Sequence, residues 1–236
     1  MRRRAGRRGR IRLATGLGFA AALSFVAGMT DALGFLLAGD FVSFMSGNTT
    51  RLGIAAGEGA FGRALHLGAL LAAFVAGNAL GVLLMRWARG SQPVLLALVA
   101  GSTTLAGLLW PTDGASLVLV LSMGAINVAL EEVGGQSLGL TYVTGALSRF
   151  GRGIARAILG EASPGWWVQI VPWCGMALGA VAGAVLVHHI GEGAVFASAA
   201  GSAGLALAAL AIPRRWRRSY LVRRPYRRSR GQALKA

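Results

Sequence analysis

The sequence predicts an all-α, polytopic membrane protein: six transmembrane helices in two inverted three-helix repeats, each repeat interrupted by a polar, Gly-containing re-entrant or broken segment. Three observations carry that expectation. Hydrophobic residues make up 55% of the 236-residue chain and charged residues only 14%, a mixture poorly suited to a water-facing surface. The apolar residues gather into six runs near the ~20 residues that a helix needs to cross a ~30 Å hydrocarbon core. A polar motif from the first half also returns in the second at a constant offset.

The net charge of +16 is unevenly placed. Residues 1–12 hold seven Arg, residues 214–236 hold nine Arg and Lys235, and the stretch between them sets seven Arg against all eight acidic residues. Such tails flanking apolar segments fit cytoplasmic residence and contact with anionic lipid headgroups, so nucleic acid is not the expected partner. The chain therefore divides into an Arg-rich cytoplasmic tail (1–12), a membrane domain (13–213) and a second Arg-rich cytoplasmic tail (214–236). One cysteine, Cys174, excludes an intrachain disulfide.

The six runs cover approximately 13–38, 61–85, 94–110, 115–130, 166–189 and 193–212. The first follows a basic start like that of a signal peptide, but it outlasts a signal core and reads as an uncleaved span. Pro111-Thr112-Asp113-Gly114 joins the third and fourth as a tight hairpin. With both basic tails inside, the number of spans is even. Arg86, Arg89, Arg149, Arg152 and Arg156 then fall on the cytoplasmic side, leaving only Arg51 and Arg63 outside. The expected location is the bacterial inner membrane, with both termini cytoplasmic.

The repeat aligns Ser46-Gly47 and Arg51-Leu52-Gly53 with Thr144-Gly145 and Arg149-Phe150-Gly151 at an offset of 98. At the same offset Gly77-x-x-x-Gly81 matches Gly175-x-x-x-Gly179, and at 96 Gly28-x-x-Asp31 matches Gly124-x-x-Asn127. Repeat one covers about 13–110 and repeat two about 115–212. Three spans per half is an odd number, so the second half enters the bilayer upside down. The matching glycine ladders, which let backbones approach closely, suggest that the second and fifth spans cross at the pseudo-two-fold axis.

Candidate binding residues follow from the polar positions inside this apolar frame. Asp31 is the one carboxylate well within a predicted span, where an ionised group costs about 2.5–3.5 kcal/mol and calls for a partner, water or a proton. Ser46, Gly47, Asn48, Thr49 and Thr50 form a dense polar segment able to cap a helix beginning near Asn48, whose N–H groups would suit an anion. Asn127, Thr144 and Gly145 hold the equivalent places in the second half. Arg149, Arg152 and Arg156 share one helical face and are expected at headgroups. His66, His188, His189 and Glu192 match no metal motif, and no phosphate loop, dinucleotide fingerprint or nucleophile elbow occurs. No cofactor, metal or catalytic residue is expected.

At these motifs the chain resembles the YoaK-like family of bacterial inner-membrane proteins, a family of unknown function. The resemblance rests on Gly28-x-x-Asp31-Ala32, the block from Phe41 through Met45-Ser46-Gly47-Asn48-Thr49, Met123-Gly124-Ala125-x-Asn127 and Thr144-Gly145. Ile126 departs from the glutamine usual in that family and removes one polar group. The resemblance implies six spans and inner-membrane residence, and supplies no substrate. The residues themselves point to a secondary transporter or permease for a small solute, with proton or cation coupling through Asp31. A passive channel and a membrane-embedded ligand-binding protein or enzyme are the alternatives.

Overall fold

Residues 2–38 contain no proline, so the arginines of the start and the 26 largely apolar residues after Arg12 run as one long helix, α1 (Arg2–Ala38). Gly39 ends it at φ +73°, where glycine alone is unstrained, and the Gly39 and Asp40 amides close back on the carbonyls of Phe35 and Gly34. In this computed structural model, residues 2–161 and 165–221 are described. The basic tail beyond Leu221 lies outside them.

There follow α2 (Met45–Gly57), α3 (Phe61–Trp87) and α4 (Gln92–Leu109), the last with Pro93 in its first turn. α5 (Asp113–Ile126) is capped by Thr112, whose Oγ1 accepts from the Ala115 amide at 3.2 Å. A 3-10 turn (Asn127–Ala129) leads into a short hairpin, β1 (Glu132–Val133) and β2 (Gln136–Ser137). Gly134 and Gly135, at φ +63° and +82°, supply its two-residue turn. The chain continues through α6 (Val143–Ile158), α7 (Ile170–Ile190), α8 (Val195–Ala211) and α9 (Arg214–Arg217). The expected apolar runs are thus helices with ends shifted by a few residues, except that α1 begins already at Arg2, within the stretch read as a tail, and the hairpin is an addition.

Small residues decide which helices touch. Gly175, Gly179 and Gly183 of α7 lie against the α1 backbone at Ala21, Phe25 and Met29, in parallel order. Gly77 and Gly81 of α3 lie against α5 at Leu121 and Ala125, again in parallel. Each ladder therefore packs on the first helix of the other half and not on the other ladder, which corrects the crossing expected from the sequence. The contacts also make Gly77 equivalent to Gly179 and Gly81 to Gly183, an offset of 102. That is one helical turn beyond the offset of 98 that sequence identity favoured, because contact geometry sets the equivalence and glycines recur every turn.

Other pairs run antiparallel. Thr30 of α1 bonds Ser198 of α8 while Val26 meets Gly201. Gly107, near the end of α4, meets Phe196 at the start of α8. Ser102 and Ser122 hydroxyls lie 2.7 Å apart across the α4–α5 hairpin.

Four stretches are long and apolar enough to cross a membrane: Gly6–Ala38, Phe61–Trp87, Gln92–Leu109 and Trp166–Ala211, with the apolar Asp113–Ala129 shorter. The last of the four contains α7 and α8, which run in opposite directions along α1. Leu65, Val75, Leu178, Val181, Leu207 and Leu210 are each more than 60% exposed. So large an apolar surface is suited to lipid.

Residues from both ends of the described chain meet on one face. Tyr220 Oη donates to the Arg12 carbonyl at 2.8 Å, and the amides of Glu131 and Glu132 donate to the Tyr220 carbonyl at 2.9 and 3.1 Å. At the far end of α1 stands an ion cluster that sequence reading did not foresee. Buried Asp40 pairs with Arg51, Arg63 and His66, the last at 2.8 Å.

Candidate functional site: a cavity between two broken segments

After Gly39 the chain folds back along α1 instead of leaving the bundle. Gly34 makes room for this, since a Cβ there would lie 2.6 Å from Val42 Cγ1. Asp31, two turns before the end of α1 and 7% exposed, holds the returning strand. Its Oδ1 accepts from the amides of Val42, Ser43 and Phe44 at 2.9, 2.8 and 3.3 Å. Three N–H groups converging on a carboxylate are the charge-assisted bonds that let irregular backbone exist away from water.

Asn48, fully buried, fastens the same strand from the other side. It donates to the Phe41 carbonyl at 2.6 Å and accepts from the Phe41 amide at 3.2 Å. Phe41 stacks on Phe35 with ring centres 4.7 Å apart and meets Phe44 edge-on at 5.3 Å. Gly47 fits under these rings, where a Cβ would come within 2.6 Å of Phe44. Helix α2 consequently begins at Met45, three residues before the start expected near Asn48, and no side chain of its own caps it. Asp31, fourteen residues upstream of Met45, anchors the backbone that leads in.

The second half solves the same problem with neutral groups. Asn127 Oδ1 accepts from Thr141 Oγ1 at 3.0 Å, and Thr141 stands 98 residues after Ser43 just as Asn127 stands 96 after Asp31. Ser24 Oγ donates to the Leu140 carbonyl at 3.2 Å. Ser24 is mid-way along the apolar part of α1, so this segment also reaches the middle of the bundle. Whereas α5 ends beside Asn127, α1 runs on for seven residues past Asp31.

The two segments meet around a cavity of about 180 Å³, roughly the volume of six liquid waters. Ser43, Phe44, Met45 and Ser46 form one wall, the run from Thr141 to Gly145 the other, and Phe74 a third side. Phe74 is the central residue of α3, which places the cavity at mid-span. Ser43 Oγ is buried here without a hydrogen-bond partner.

Of the residues proposed from sequence, Ser46, Thr144 and Gly145 line the cavity. Asp31, Gly47, Asn48 and Asn127 stand behind its walls and hold them. Thr49 and Thr50 lie further along α2, their hydroxyls donating back to the carbonyls of Met45 and Ser46 at 2.8 and 3.2 Å. Ser43, Phe44, Met45, Phe74, Thr141, Tyr142 and Val143 complete the lining and are not among the residues proposed from sequence. Extending the offset of 98 by three residues would have found Ser43 with Thr141; nothing in the sequence marks Phe74.

Elsewhere, His66 is engaged by Asp40, and His188 stacks edge-on with His189, ring centres 5.2 Å apart. Arg149 donates to Gln169 Oε1 at 2.7 Å, and with Arg152 and Arg156 it lines a separate cavity of about 280 Å³.

A bundle of apolar helices with lipid-suited flanks and polar backbone held at its centre defines a helical transmembrane protein. The chain belongs to the DUF1275 family, described as proteins of unknown function, whose model matches residues 19–209. It is 43% identical to a UPF0700 transmembrane protein of Rhizobium meliloti (strain 1021) over 217 residues, 91% of this chain and 95% of that one. The match shows a membrane family; the YoaK label rests on motif resemblance alone. No solved structure matches.

Proposed function

We propose that the protein is a secondary transporter or permease for a small polar solute, residing in the bacterial inner membrane with six spans in two inverted repeats and both termini cytoplasmic. The observation that carries this reading is the mid-span cavity between two broken segments, one from each half, with Ser46, Thr141 and Thr144 in its walls. Binding near the midplane between repeats of opposite orientation is the arrangement from which alternating access is built. Helix directions support the inversion: α1 is parallel to α7 and antiparallel to α8, and α3 is parallel to α5.

Asp31 is the coupling group in this reading, acting on the wall and not on the solute. Charged, it holds Val42, Ser43 and Phe44; protonated, it is a weaker acceptor and loosens the segment that closes the cavity on the first-half side. A passive channel of the same architecture would lack that link between proton and wall.

Reconstituted protein is the test. Labelled-solute panels in proteoliposomes, with and without a pH gradient, should reveal uptake that the gradient drives and that Asp31→Asn makes gradient-independent. Ser46→Cys and Thr144→Cys, in a Cys174→Ser background because Cys174 is exposed, should react with small water-soluble thiol reagents and be protected by the transported solute. No flux across the panel combined with two unreactive cysteines would sink the proposal.

A further inference from the structure

A second cavity, of about 550 Å³, lies on the face that carries Arg12 and Tyr220, and its chemistry is unlike that of the central one. Helix α3 ends at Trp87, and the chain reverses through Arg89 and Gly90, both at positive φ (53° and 78°), into α4. Pro213 ends α8 and swings α9 across the opening. Gln92 ties this corner to the 3-10 turn after α5 by donating to the Ala129 carbonyl at 2.6 Å. The wall is formed by Trp87, Arg89, Ser91, Arg214, Arg217 and Arg218.

Four guanidinium groups thus share one cavity, and among the described residues no carboxylate pairs with any of them. All eight acidic residues of the chain are among the described residues, and none lies within ion-pair distance of these arginines. The tail beyond Leu221 contains no Asp or Glu that could supply one. Arg217 is 8% exposed, enclosed by its immediate neighbours in a shallow site, and its Nε and Nη1 have no acceptor. Burial, and secondarily the adjacent Arg214 charge, press its guanidinium below the usual range. An enclosed guanidinium with idle donors is costly unless an anion completes it.

We propose that this cavity is a phosphate-binding site, with the exposed Arg89, Arg214 and Arg218 presenting their guanidinium groups to the oxyanion and the enclosed Arg217 adding its charge from behind the wall. Arginine presents donors in the planar geometry that matches phosphate oxygens. Trp87, 80% exposed beside the pocket, offers an interfacial ring on the lipid side, so the phosphate fits the headgroup of an anionic phospholipid as well as a free ion. The site is separate from the central cavity and stands independently of the transport reading.

The test is thermal unfolding of the full-length protein in detergent, titrated with inorganic phosphate, with phosphatidylglycerol and with phosphatidylcholine. Saturable stabilisation is expected, with half-saturation shifted at least tenfold upward by Arg89→Gln combined with Arg214→Gln. Both side chains are exposed, so that variant keeps its fold even if Arg217→Gln does not. Arg7→Gln with Arg10→Gln removes the same charge elsewhere and should leave the titration unchanged. A response to phosphatidylglycerol alone assigns the phosphate to a headgroup, and an equal response to inorganic phosphate assigns it to a free ion. No response to either beyond that to phosphatidylcholine, or an equal shift in the Arg7 and Arg10 double variant, overturns the site.

Discussion

The Ser43 amide lies 2.8 Å from Asp31 Oδ1, while the Ser43 hydroxyl is left without a partner at the wall of the central cavity. One residue is held by its backbone and free at its side chain. The carboxylate also takes the amides of Val42 and Phe44, so replacing it removes an acceptor shared by three donors. Asp31→Leu should therefore cost several kcal/mol, at about 1–3 kcal/mol for each donor left buried and unpaired. Asp31→Asn keeps an oxygen there and should melt much closer to the parent. Thermal unfolding in detergent separates them; equal melting of all three proteins would mean that the contact does not hold the segment.

Glycine-to-alanine changes should divide by what the added methyl meets. At Gly179 and Gly77 it would run into the carbonyls of Phe25 and Leu121 on the facing helices, forcing backbones apart at a cost of about 1–3 kcal/mol. At Gly53, exposed on α2 with nothing within 4 Å, the same change should stabilise by up to about 1 kcal/mol through helix propensity. Finding all three neutral would contradict the tight α1–α7 and α3–α5 crossings.

Orientation can be read by reporter fusions. The bond from Tyr220 to the Arg12 carbonyl brings the two ends of the described chain to one face. The abundance of Arg there predicts that this face is cytoplasmic. Fusions after Gly90 and Glu161 should report inside, and fusions near Asp113 and Gly191 outside. An external signal from either terminus would refute the six-span arrangement.

Tyr220 should give stability an alkaline limit. Burial raises its phenol above the usual 10.0, with Arg12 opposing more weakly, so the folded protein holds this proton more tightly than the unfolded chain does. The contribution is whole below about pH 10 and is lost as pH rises through the folded-state value. Tyr220→Phe should cost about 1 kcal/mol at neutral pH through the lost bond to Arg12. It should also flatten the decline above pH 10, measured as unfolding midpoint against pH; an undiminished decline in the variant would assign it to other groups.

The sequence by itself determined the membrane environment, the apolar helices, the Arg-rich tails and the pairing of polar positions between halves. Those features depend on composition, on periodicity within a helix and on breakers such as Gly39 and Pro111, all local properties. The tertiary structure alone decided where α2 begins, because its lead-in is anchored by Asp31 and not by a neighbouring cap. It also turned the glycine ladders of α3 and α7 toward α5 and α1, since a small residue permits close approach without naming its partner. Asp31, Asn48 and Asn127, marked in the sequence by polarity, became supports behind the cavity wall. Phe74 entered the site from a run of similar apolar residues, where only the packing of α3 on α5 fixed which side chain would face the centre.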